Sequence, residues 1–271
     1  MGKETKIGWT HHTFNPWWGC THDGPECDSC YAEAWAKRTG HAVWGHDAPR
    51  RFFGNFHWKE PLLWDKAAEK AGERRRVFCA SMGDVGERLA TPEGERMDAA
   101  RRELVTLIGR TPWLDWLLLT KRPQNLPTLF PEFGFDGWPR NVWLGTTCGD
   151  EAGLQKRAKY LVKMSAPVLF VSYEPALGPA NLAPWLDQGI SWAIVGGESH
   201  QARAKARPFQ LDWARSTVEQ CRAAGAAPFV KQLGSNAFDD GKPFPTDHPK
   251  GEDMAEFPPE LQVQQYPKVA A

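Results

Sequence analysis

The sequence has no long apolar run, no net charge and no regular cysteine framework, and each absence excludes a class of protein. No stretch of the 271 residues is apolar for the length of a bilayer-spanning helix, and no signal peptide is evident. A formal net charge of zero argues against a chain that coats nucleic acid through bulk charge, although a local basic groove remains compatible. The six cysteines are spaced too irregularly for a secreted disulfide scaffold. We therefore expect a cytoplasmic protein with no membrane partner, whose reduced thiols can bind metal.

Three of the cysteines stand together in the stretch NPWWGCTHDGPECDSCY, residues 15–31, with the spacing C-x6-C-x2-C. The C-x2-C pair can direct two sulfurs to one ion or cluster, because a tight turn brings residues i and i+3 together. A structural zinc site takes four ligands, whereas a [4Fe–4S] cluster held by three cysteines keeps one iron open. Three interpretations stand: such a cluster on Cys20, Cys27 and Cys30, a zinc site that adds His22 or a distant histidine, or unliganded thiols.

Apolar segments alternate with helical patterns along the rest of the chain. Alternation of this kind, with strands apolar on both faces, predicts an α/β fold with a parallel sheet. Residues 40–65 show no clean period and are expected to be a long loop with one short helix. The predicted strands are 6–9, 76–80, 113–119, 141–145, 167–172, 192–195 and 228–230, and the predicted helices are 31–37, 91–108, 150–164 and 212–223.

The length suits one large α/β barrel or two small domains, and the order of elements favours the barrel. We expect a (β/α) barrel, partial or closed, over residues 1–234, with a flat doubly wound sheet as the alternative. Residues 235–271 are polar and rich in Pro and Gly, so they are expected to form an irregular C-terminal extension packed on the barrel.

Polar clusters follow the predicted strands. In parallel α/β folds the active site lies at the carboxyl ends of the strands, so these clusters should converge on one face. The alternative is that turns and helix caps are polar in any case. That alternative explains the hydroxyl residues better than Lys121, Glu174 and Lys231, because charged groups there are costly unless they are paired or solvated. The clusters begin at residues 81, 120, 146, 173, 196 and 231.

The cysteine loop after the first strand, and the Gly-containing acidic motif after the second, resemble the radical S-adenosylmethionine superfamily. The usual spacing there is C-x3-C-x2-C, so the six-residue first gap departs from the pattern. The fuller set is similar to a phage and bacterial branch of the superfamily with a longer gap. The segments that carry the resemblance are NPWWGC, CDSCYAE, VFCASMGD, LLLTKRP, VWLGTT, VSYEP, IVGGES and FVKQLG, which together span residues 15–234.

The resemblance implies that the three cysteines ligate a [4Fe–4S] cluster whose fourth iron binds the amino and carboxylate groups of S-adenosylmethionine. An external electron donor would drive reductive cleavage to a 5′-deoxyadenosyl radical, and the protein would position and shield the cofactor. The cofactor-binding residues implied by position are Ser81, Met82, Gly83, Asp84, Thr146, Glu174, Gly196 and Glu198.

Members of the similar branch imply a substrate within phage DNA, in the cytoplasm of an infected bacterium. The specific expectation is an isomerase that converts a nitrogen-linked amino-acid (glycyl) adduct on the thymine methylene into a carbon-linked one. The modified thymidine would have to flip out of the duplex or be single-stranded. The alternatives are a radical lyase or repair enzyme on another nucleic-acid or small-molecule substrate, and a non-catalytic, zinc-stabilised nucleic-acid-binding protein.

Residues for these steps are predicted as follows. Tryptophans at the cysteine loop could stack on the base, and basic residues at the strand ends could bind the adduct carboxylate or a phosphate. Cysteines in or after strands are candidate radical relays, with buried packing residues as the alternative. Predicted substrate-binding residues are Trp17, Trp18, Arg122, Arg207 and Gln232, predicted catalytic residues are Cys148, Lys121 and Lys231, and Arg203 and Lys205 are further phosphate candidates.

Overall fold

The structure is a computed structural model that describes residues 5–200 and 205–269. Twelve strands occur in these residues: β1 (His12–Thr13), β2 (Trp17–Trp18), β3 (Arg51–Phe52), β4 (Arg75–Cys79), β5 (Leu114–Thr120), β6 (Val142–Thr147), β7 (Val168–Tyr173), β8 (Ile190–Gly196), β9 (Phe209–Gln210), β10 (Ala227–Gln232), β11 (Ala237–Asp239) and β12 (Lys242–Pro243). The α-helices are α1 (Tyr31–Arg38), α2 (Asn55–Ala71), α3 (Pro92–Gly109), α4 (Leu126–Leu129), α5 (Glu151–Leu161), α6 (Ala183–Leu186) and α7 (Leu211–Ala224). No described helix is long and apolar enough to cross a membrane.

Seven of the strands form one parallel sheet in the order β1-β4-β5-β6-β7-β8-β10. β6 and β7 are buried along their whole length, as expected for strands covered on both faces. Helices connect most successive strands, which is the crossover that parallel pairing requires. The α/β class and the partial (β/α) barrel predicted from the sequence are confirmed.

The predicted loop over residues 40–65 is wrong in its second half, where the 17-residue helix α2 begins. The buried face of α2 includes Trp58, Pro61, Asp65 and Ala68, at the spacing of successive helical turns. A proline and an acid occupy two of these positions, so the hydrophobic period is interrupted in the sequence. Asp65 is satisfied by the backbone N–H of Trp113, whose nitrogen lies 2.8 Å from its Oδ1.

The described chain divides into two compact units. The first contains the residues up to His22 together with Trp35–Gly145 and Lys163–Pro167, and the second contains Asp23–Ala34, Thr146–Val162 and the residues from Val168 onward. In the first unit β4 pairs in parallel with β1 and β5. In the second unit β8 pairs in parallel with β7 and β10.

An aromatic core fills each unit. In the first unit, Phe14 stacks on His57 with ring centroids 4.6 Å apart and meets Trp116 edge-on at 5.6 Å. In the second unit, the ring of Trp192 lies 5.4 Å from that of Phe170 and 5.5 Å from that of Tyr266. Aromatic pairs of this kind contribute beyond their buried area, so Trp116 and Trp192 help to stabilise the core of each unit.

The C-terminal residues run antiparallel to β10, the last strand of the sheet order. The backbone N–H of Val230 donates to the carbonyl of Val263 at 2.9 Å, and that of Gln265 donates to Pro228 at 3.0 Å. Trp192 Nε1 also donates to the carbonyl of Gln265 at 3.0 Å. This segment therefore covers backbone groups that an edge strand would otherwise leave unpaired. The division of the chain between residues 234 and 235 stays a prediction.

Ending the chain after Gln262 should destabilise the protein. It removes the buried side chain of Val263, and burial of a valine contributes about 1.5–3 kcal/mol. It also leaves the Val230 N–H without its acceptor. We expect urea unfolding, followed by tryptophan fluorescence, to show a free energy of unfolding lower by about 2 kcal/mol or more. A chain ended after Lys268 keeps the pairing and is the control; equal midpoints for the two chains would contradict the prediction.

Candidate active site

Residues 81–84, predicted to bind the cofactor, lie against the NPWWG motif through the buried side chain of Asn15. Its Oδ1 accepts a hydrogen bond from the Met82 N–H at 2.6 Å, and its Nδ2 donates to Ser81 Oγ at 3.1 Å. The backbone N–H of Gly19 donates to the carbonyl of Met82 at 2.9 Å. The two motifs that carry the sequence prediction therefore form one hydrogen-bonded structure.

Trp17 and Trp18 are both buried beside this segment. A Cβ on Gly83 would lie 3.2 Å from Trp17 Nε1, so glycine allows the indole to approach the backbone closely. The Trp17 N–H is itself buried and finds no hydrogen-bond acceptor among the described residues. Trp18 packs under the guanidinium of Arg51, 4.5 Å from its ring centroid. Neither ring presents a face to solvent, which the predicted stacking on a substrate base requires.

Asp84 is the centre of a buried hydrogen-bond network at the end of β5. Its Oδ2 pairs with Arg122 NH1 at 2.7 Å and accepts from the Lys121 N–H at 3.1 Å. Its Oδ1 accepts from Thr120 Oγ1 and from the Gly86 N–H. Burial alone would raise the pKa of Asp84, but Arg122 and these hydrogen bonds hold it below its ordinary value. Both carboxylate oxygens of Asp84 are thus hydrogen-bonded within the protein, and its role in cofactor binding stays a prediction.

Thr21, the residue after Cys20, is held between two ion pairs. Arg122 NH2 donates to its carbonyl and to its hydroxyl, both at 2.8 Å. Its N–H and hydroxyl donate to Glu87 Oε1 at 2.7 and 2.8 Å. Glu87 in turn pairs with Arg50 at 2.9 Å, and both side chains are buried. Glu87 and Arg50 were not predicted, because nothing local in the sequence links them to the cysteine loop.

The sulfur of Cys20 faces positive charge. Arg122 NH1 lies 3.8 Å from Cys20 Sγ. Burial and the carboxylates of Glu87 and Asp84 raise the pKa of this thiol, while Arg122 and Lys121 oppose the rise. The ammonium of Lys121 forms no hydrogen bond or ion pair within residues 5–200 and 205–269. Within the described residues, Lys121 and the exposed Lys205 are thus predicted phosphate-binding cations that form no ion pair.

The C-x2-C pair forms the predicted tight turn. The Cys30 N–H donates to the Cys27 carbonyl at 3.2 Å, and α1 begins at the next residue, Tyr31. The backbone N–H of Asp23 points to Cys27 Sγ at 3.4 Å.

The three motif cysteines differ from the other three. Cys20 and Cys30 are partly exposed and Cys27 is buried beneath the loop, whereas Cys79, Cys148 and Cys221 are buried in the core. Hydrogen-bond donors directed at two of the motif sulfurs suit ligating thiolates. The described residues contain no group of three or more His, Cys, Asp or Glu side chains that could hold a single metal ion. A [4Fe–4S] cluster takes one cysteine on each of three irons.

In the second unit, Glu174 and Lys231 form an ion pair at the ends of β7 and β10. Lys231 Nζ lies 2.9 Å from Glu174 Oε1, and both side chains are largely buried. The pair lies next to Gly196 at the end of β8. A Cβ on Gly196 would lie 2.9 Å from Glu174 Oε1. Gly196 therefore provides the space that the pair occupies. Three predicted residues are brought together here.

Glu198 and Arg207 form a second pair nearby in the same unit. Arg207 Nε and NH2 donate to the two carboxylate oxygens at 3.0 and 2.6 Å, and Arg207 NH1 donates to the Pro25 carbonyl at 2.8 Å. Gln232 is buried and donates to the Gly197 carbonyl at 2.7 Å. The predicted substrate residues Arg207 and Gln232 thus make internal hydrogen bonds, and Arg203 lies outside the described residues.

Thr146 and Cys148 stand at the end of β6 and are fully buried. The Cys148 N–H continues the sheet by donating to the Ser172 carbonyl at 3.0 Å. Burial raises the pKa of the Cys148 thiol, so this sulfur is held as a neutral thiol. A radical relay at Cys148 stays a prediction.

Known proteins resemble the chain at two levels. A family described as "Protein of unknown function (DUF5131)" matches residues 4–262. No protein of curated function matches the sequence. The fold is similar to a cysteine-to-alanine variant of spore photoproduct lyase with dinucleoside spore photoproduct, with a TM-score of 0.53 and 11% identity over 88% of this chain and 78% of that chain. For a tyrosine-to-phenylalanine variant the TM-score is 0.50 and the identity 12%, over 82% of this chain and 64% of the lyase chain. At this identity the likeness concerns the fold alone.

Changing Asp84 to Asn should destabilise the protein, because the Arg122 charge then stays buried without its partner. Removal of one member of a buried ion pair costs about 3–5 kcal/mol, so we expect a loss of about 3 kcal/mol in the free energy of unfolding at neutral pH. The pKa of Asp84 is lowered by folding, so its stabilisation is present above the ordinary carboxyl pKa and is lost as pH falls.

Urea denaturation at neutral pH and at about pH 3, below the ordinary carboxyl pKa, measures both effects. Asp84→Asn should lose less stability than wild type on acidification. The control is Asp47→Asn, since that carboxylate is almost fully exposed. An Asp84→Asn protein as stable as the Asp47→Asn control at pH 7 would contradict the network.

Proposed function

We propose that this chain, which belongs to the DUF5131 family, is a radical S-adenosylmethionine enzyme that acts on a modified thymidine in DNA. The observation that carries the proposal is the C-x6-C-x2-C loop, with hydrogen-bond donors directed at two of its sulfurs. A fold similar to that of spore photoproduct lyase supports the same class. We also propose residues 1–234 as the catalytic body and residues 235–271 as its extension.

In this proposal Cys20, Cys27 and Cys30 hold a [4Fe–4S] cluster, and S-adenosylmethionine binds beside it. When bound, the cluster and S-adenosylmethionine supply a 5′-deoxyadenosyl radical, with the electron coming from an external donor. The donor set fits: the three thiols lie in one loop, and Arg122 and the Asp23 N–H offer hydrogen bonds to sulfur. Such donors tune a cluster's reduction potential.

The cofactor is proposed to bind along residues 81–84, with Thr146, Glu174, Gly196 and Glu198 as further contacts. The buried N–H of Trp17, which has no acceptor among the described residues, adds a donor beside Gly83. Glu174 and Lys231 are charged groups held in place by each other, so either can bind a polar group of cofactor or substrate without reorganisation.

The substrate is proposed to be a thymidine that carries a nitrogen-linked amino-acid (glycyl) adduct, which the enzyme rearranges to the carbon-linked isomer. Such a substrate brings a carboxylate and phosphates. Lys121 is the proposed anion contact, because its ammonium has no partner among the described residues, whereas Arg122 and Arg207 are engaged internally. Cys148 is the proposed relay for a hydrogen atom.

A second candidate is a lyase that repairs a lesion in DNA. The similarity in fold to spore photoproduct lyase, one structure of which holds a dinucleoside photoproduct, favours it. The two candidates differ in their products: isomerisation leaves the nucleoside mass unchanged, whereas a lyase breaks a bond and releases smaller products.

Liquid chromatography with mass spectrometry of digested DNA tests both. Reduced enzyme and S-adenosylmethionine are incubated with DNA that carries the nitrogen-linked adduct, or with DNA that carries a photoproduct. Isomerase activity predicts a nucleoside of unchanged mass and altered retention from the first DNA. Lyase activity predicts loss of the lesion from the second. Turnover of a free nucleoside without DNA would retire both candidates in favour of a small-molecule enzyme.

Changing Cys20, Cys27 or Cys30 to Ala should abolish cluster assembly and cleavage of S-adenosylmethionine, since each thiolate is the protein ligand of one iron. Iron and sulfide content after anaerobic reconstitution, and release of 5′-deoxyadenosine, are the measurements. Cys221→Ala is the control, because that thiol is buried in helix α7. Full cluster content in Cys27→Ala, or a colourless wild-type protein with stoichiometric zinc, would refute the cluster.

DNA binding should weaken with salt, although the net charge is zero. Contacts with a few phosphates predict a log–log slope of about −2 to −4, and Lys121→Met should reduce its magnitude by about 0.7–0.9. Single-stranded or mismatched DNA should bind better than duplex, because flipping a paired base costs a few kcal/mol. Fluorescence anisotropy against salt measures this, with the exposed Lys66→Met as the control. An unchanged slope in Lys121→Met would exclude that contact.

A further inference from the structure

The long first cysteine gap contains a fully buried carboxylate. Glu26 has no exposed side-chain surface, and its Oε1 lies 2.7 Å from NH1 of Arg157, which is 2% exposed. Its Oε2 lies 3.3 Å from Arg157 NH2. Two contacts between the same two groups restrict their relative orientation. Neither charge is tolerated in the interior without the other. The pair with Arg157 therefore fixes the position of Glu26, which is the residue just before Cys27.

Three glycines surround the Glu26 side chain. A Cβ on Gly24 would lie 2.6 Å from Glu26 Oε2, one on Gly149 would lie 2.8 Å from its Cγ, and one on Gly153 would lie 2.9 Å from its Oε1. Any larger residue at these positions would displace the carboxylate or its partner. The glycines thus form a cradle for this one side chain.

Arg157 also joins the gap to the end of β6. Its NH1 donates to the carbonyl of Thr147 at 2.9 Å, and its NH2 donates to the carbonyl of Asp23. The Asp23 carboxylate is held by Lys156 at 2.7 Å. The gap is therefore bound to α5 and β6 by both its backbone and its side chains.

Arg207 holds the gap from a second side. Its NH1 donates to the Pro25 carbonyl at 2.8 Å and lies 3.7 Å from the Asp28 carboxylate, while the other end of the guanidinium pairs with Glu198. The pKa of Arg207 is raised by this hydrogen bonding, so its charge is fixed. Between them, Arg157 and Arg207 contact the stretch that lengthens this gap beyond the usual C-x3-C spacing.

We propose that Glu26, Arg157 and Arg207 are positioning residues: they hold the longer gap in the shape that presents Cys27 and Cys30 to the cluster, and the balance of Glu26 against Arg157 sets the cluster's reduction potential. The inference rests on the proposed function. Net charge and hydrogen bonds around a cluster set its potential, and Glu26 adjoins a ligand. We call Glu26, Arg157 and Arg207 the anchor of the gap.

The first experiment measures the midpoint potential of the reconstituted protein by redox titration with electron paramagnetic resonance. Glu26→Gln leaves the positive charge of Arg157 unbalanced and should raise the potential. Arg157→Gln leaves the negative charge of Glu26 unbalanced and should lower it. The double variant should return toward wild type. A role in folding alone predicts no such opposite shifts. Arg215→Gln, which breaks an ion pair with Asp239, is the control and should not shift the potential.

The second experiment measures the rate of iron release to a chelator. Gly24→Ala should release iron about tenfold faster or more, since loss of an outer-shell contact typically costs 10–100-fold in metal affinity. The matched control is Gly189→Ala, because Gly189 has a similar φ of 108° against 114° for Gly24 but open space around its Cβ. Arg207→Gln, at a partly exposed site, tests the other side should a Glu26 variant fail to fold.

The outcomes separate the two levels of inference. A wild-type protein that assembles no iron and sulfide refutes the proposed function, and the anchor with it. A wild-type protein with a cluster, together with unshifted potentials in the charge variants and equal iron release from Gly24→Ala, Arg207→Gln and the Gly189→Ala control, overturns the anchor alone. Opposite potential shifts and faster release from Gly24→Ala and Arg207→Gln support it.

Discussion

Buried carboxylates paired with arginines hold both ends of the cysteine loop. Asp84 pairs with Arg122, which reaches Thr21 beside Cys20, and Glu26 pairs with Arg157 beside Cys27. A buried ion is tolerated only where its partner meets it, and the penalty for an unpaired one amounts to several kcal/mol. These pairs add little net stability over apolar packing, yet each fixes the end of the loop that lies in its own unit. The position of each sulfur that we propose as a ligand depends on the pair beside it.

The parallel sheet explains where these arginines come from. Arg122 follows β5, Arg157 lies on the helix after β6, and Arg207 lies between β8 and α7. In this type of fold each strand delivers its following loop to the same edge, so within the second unit Arg157 and Arg207 can both reach the segment 23–28. Strand cores made of apolar residues supply the rigid support, and the loops supply the charges.

The fold could be predicted further than the site. Apolar runs such as those of β6 and β7 are local signals, and these two strands lie where they were expected. The strand expected at residues 6–9 is wrong, since the first strand is β1 at His12–Thr13. Helix α2 was missed because Pro61 and Asp65 occupy its buried face. Long-range pairs leave no local pattern: Glu26 and Arg157 are 131 positions apart, and each alone is typical of a solvated surface. Trp17 was assigned to stacking, although its spacing cannot distinguish a stacking platform from a core residue.

Pairing also bears on the DNA binding that we propose for this chain, whose net charge is zero. An arginine that leaves a buried carboxylate to bind a phosphate would expose an unpaired charge at its former position, so Arg122 and Arg207 gain little from such an exchange. Lys121 has no such tie within the described residues, and its ammonium can bind an anion without breaking an internal contact. A compact ammonium of this kind suits a phosphate or carboxylate of the proposed substrate. The arginines therefore hold the cysteine loop, whereas Lys121 is available to bind the proposed substrate.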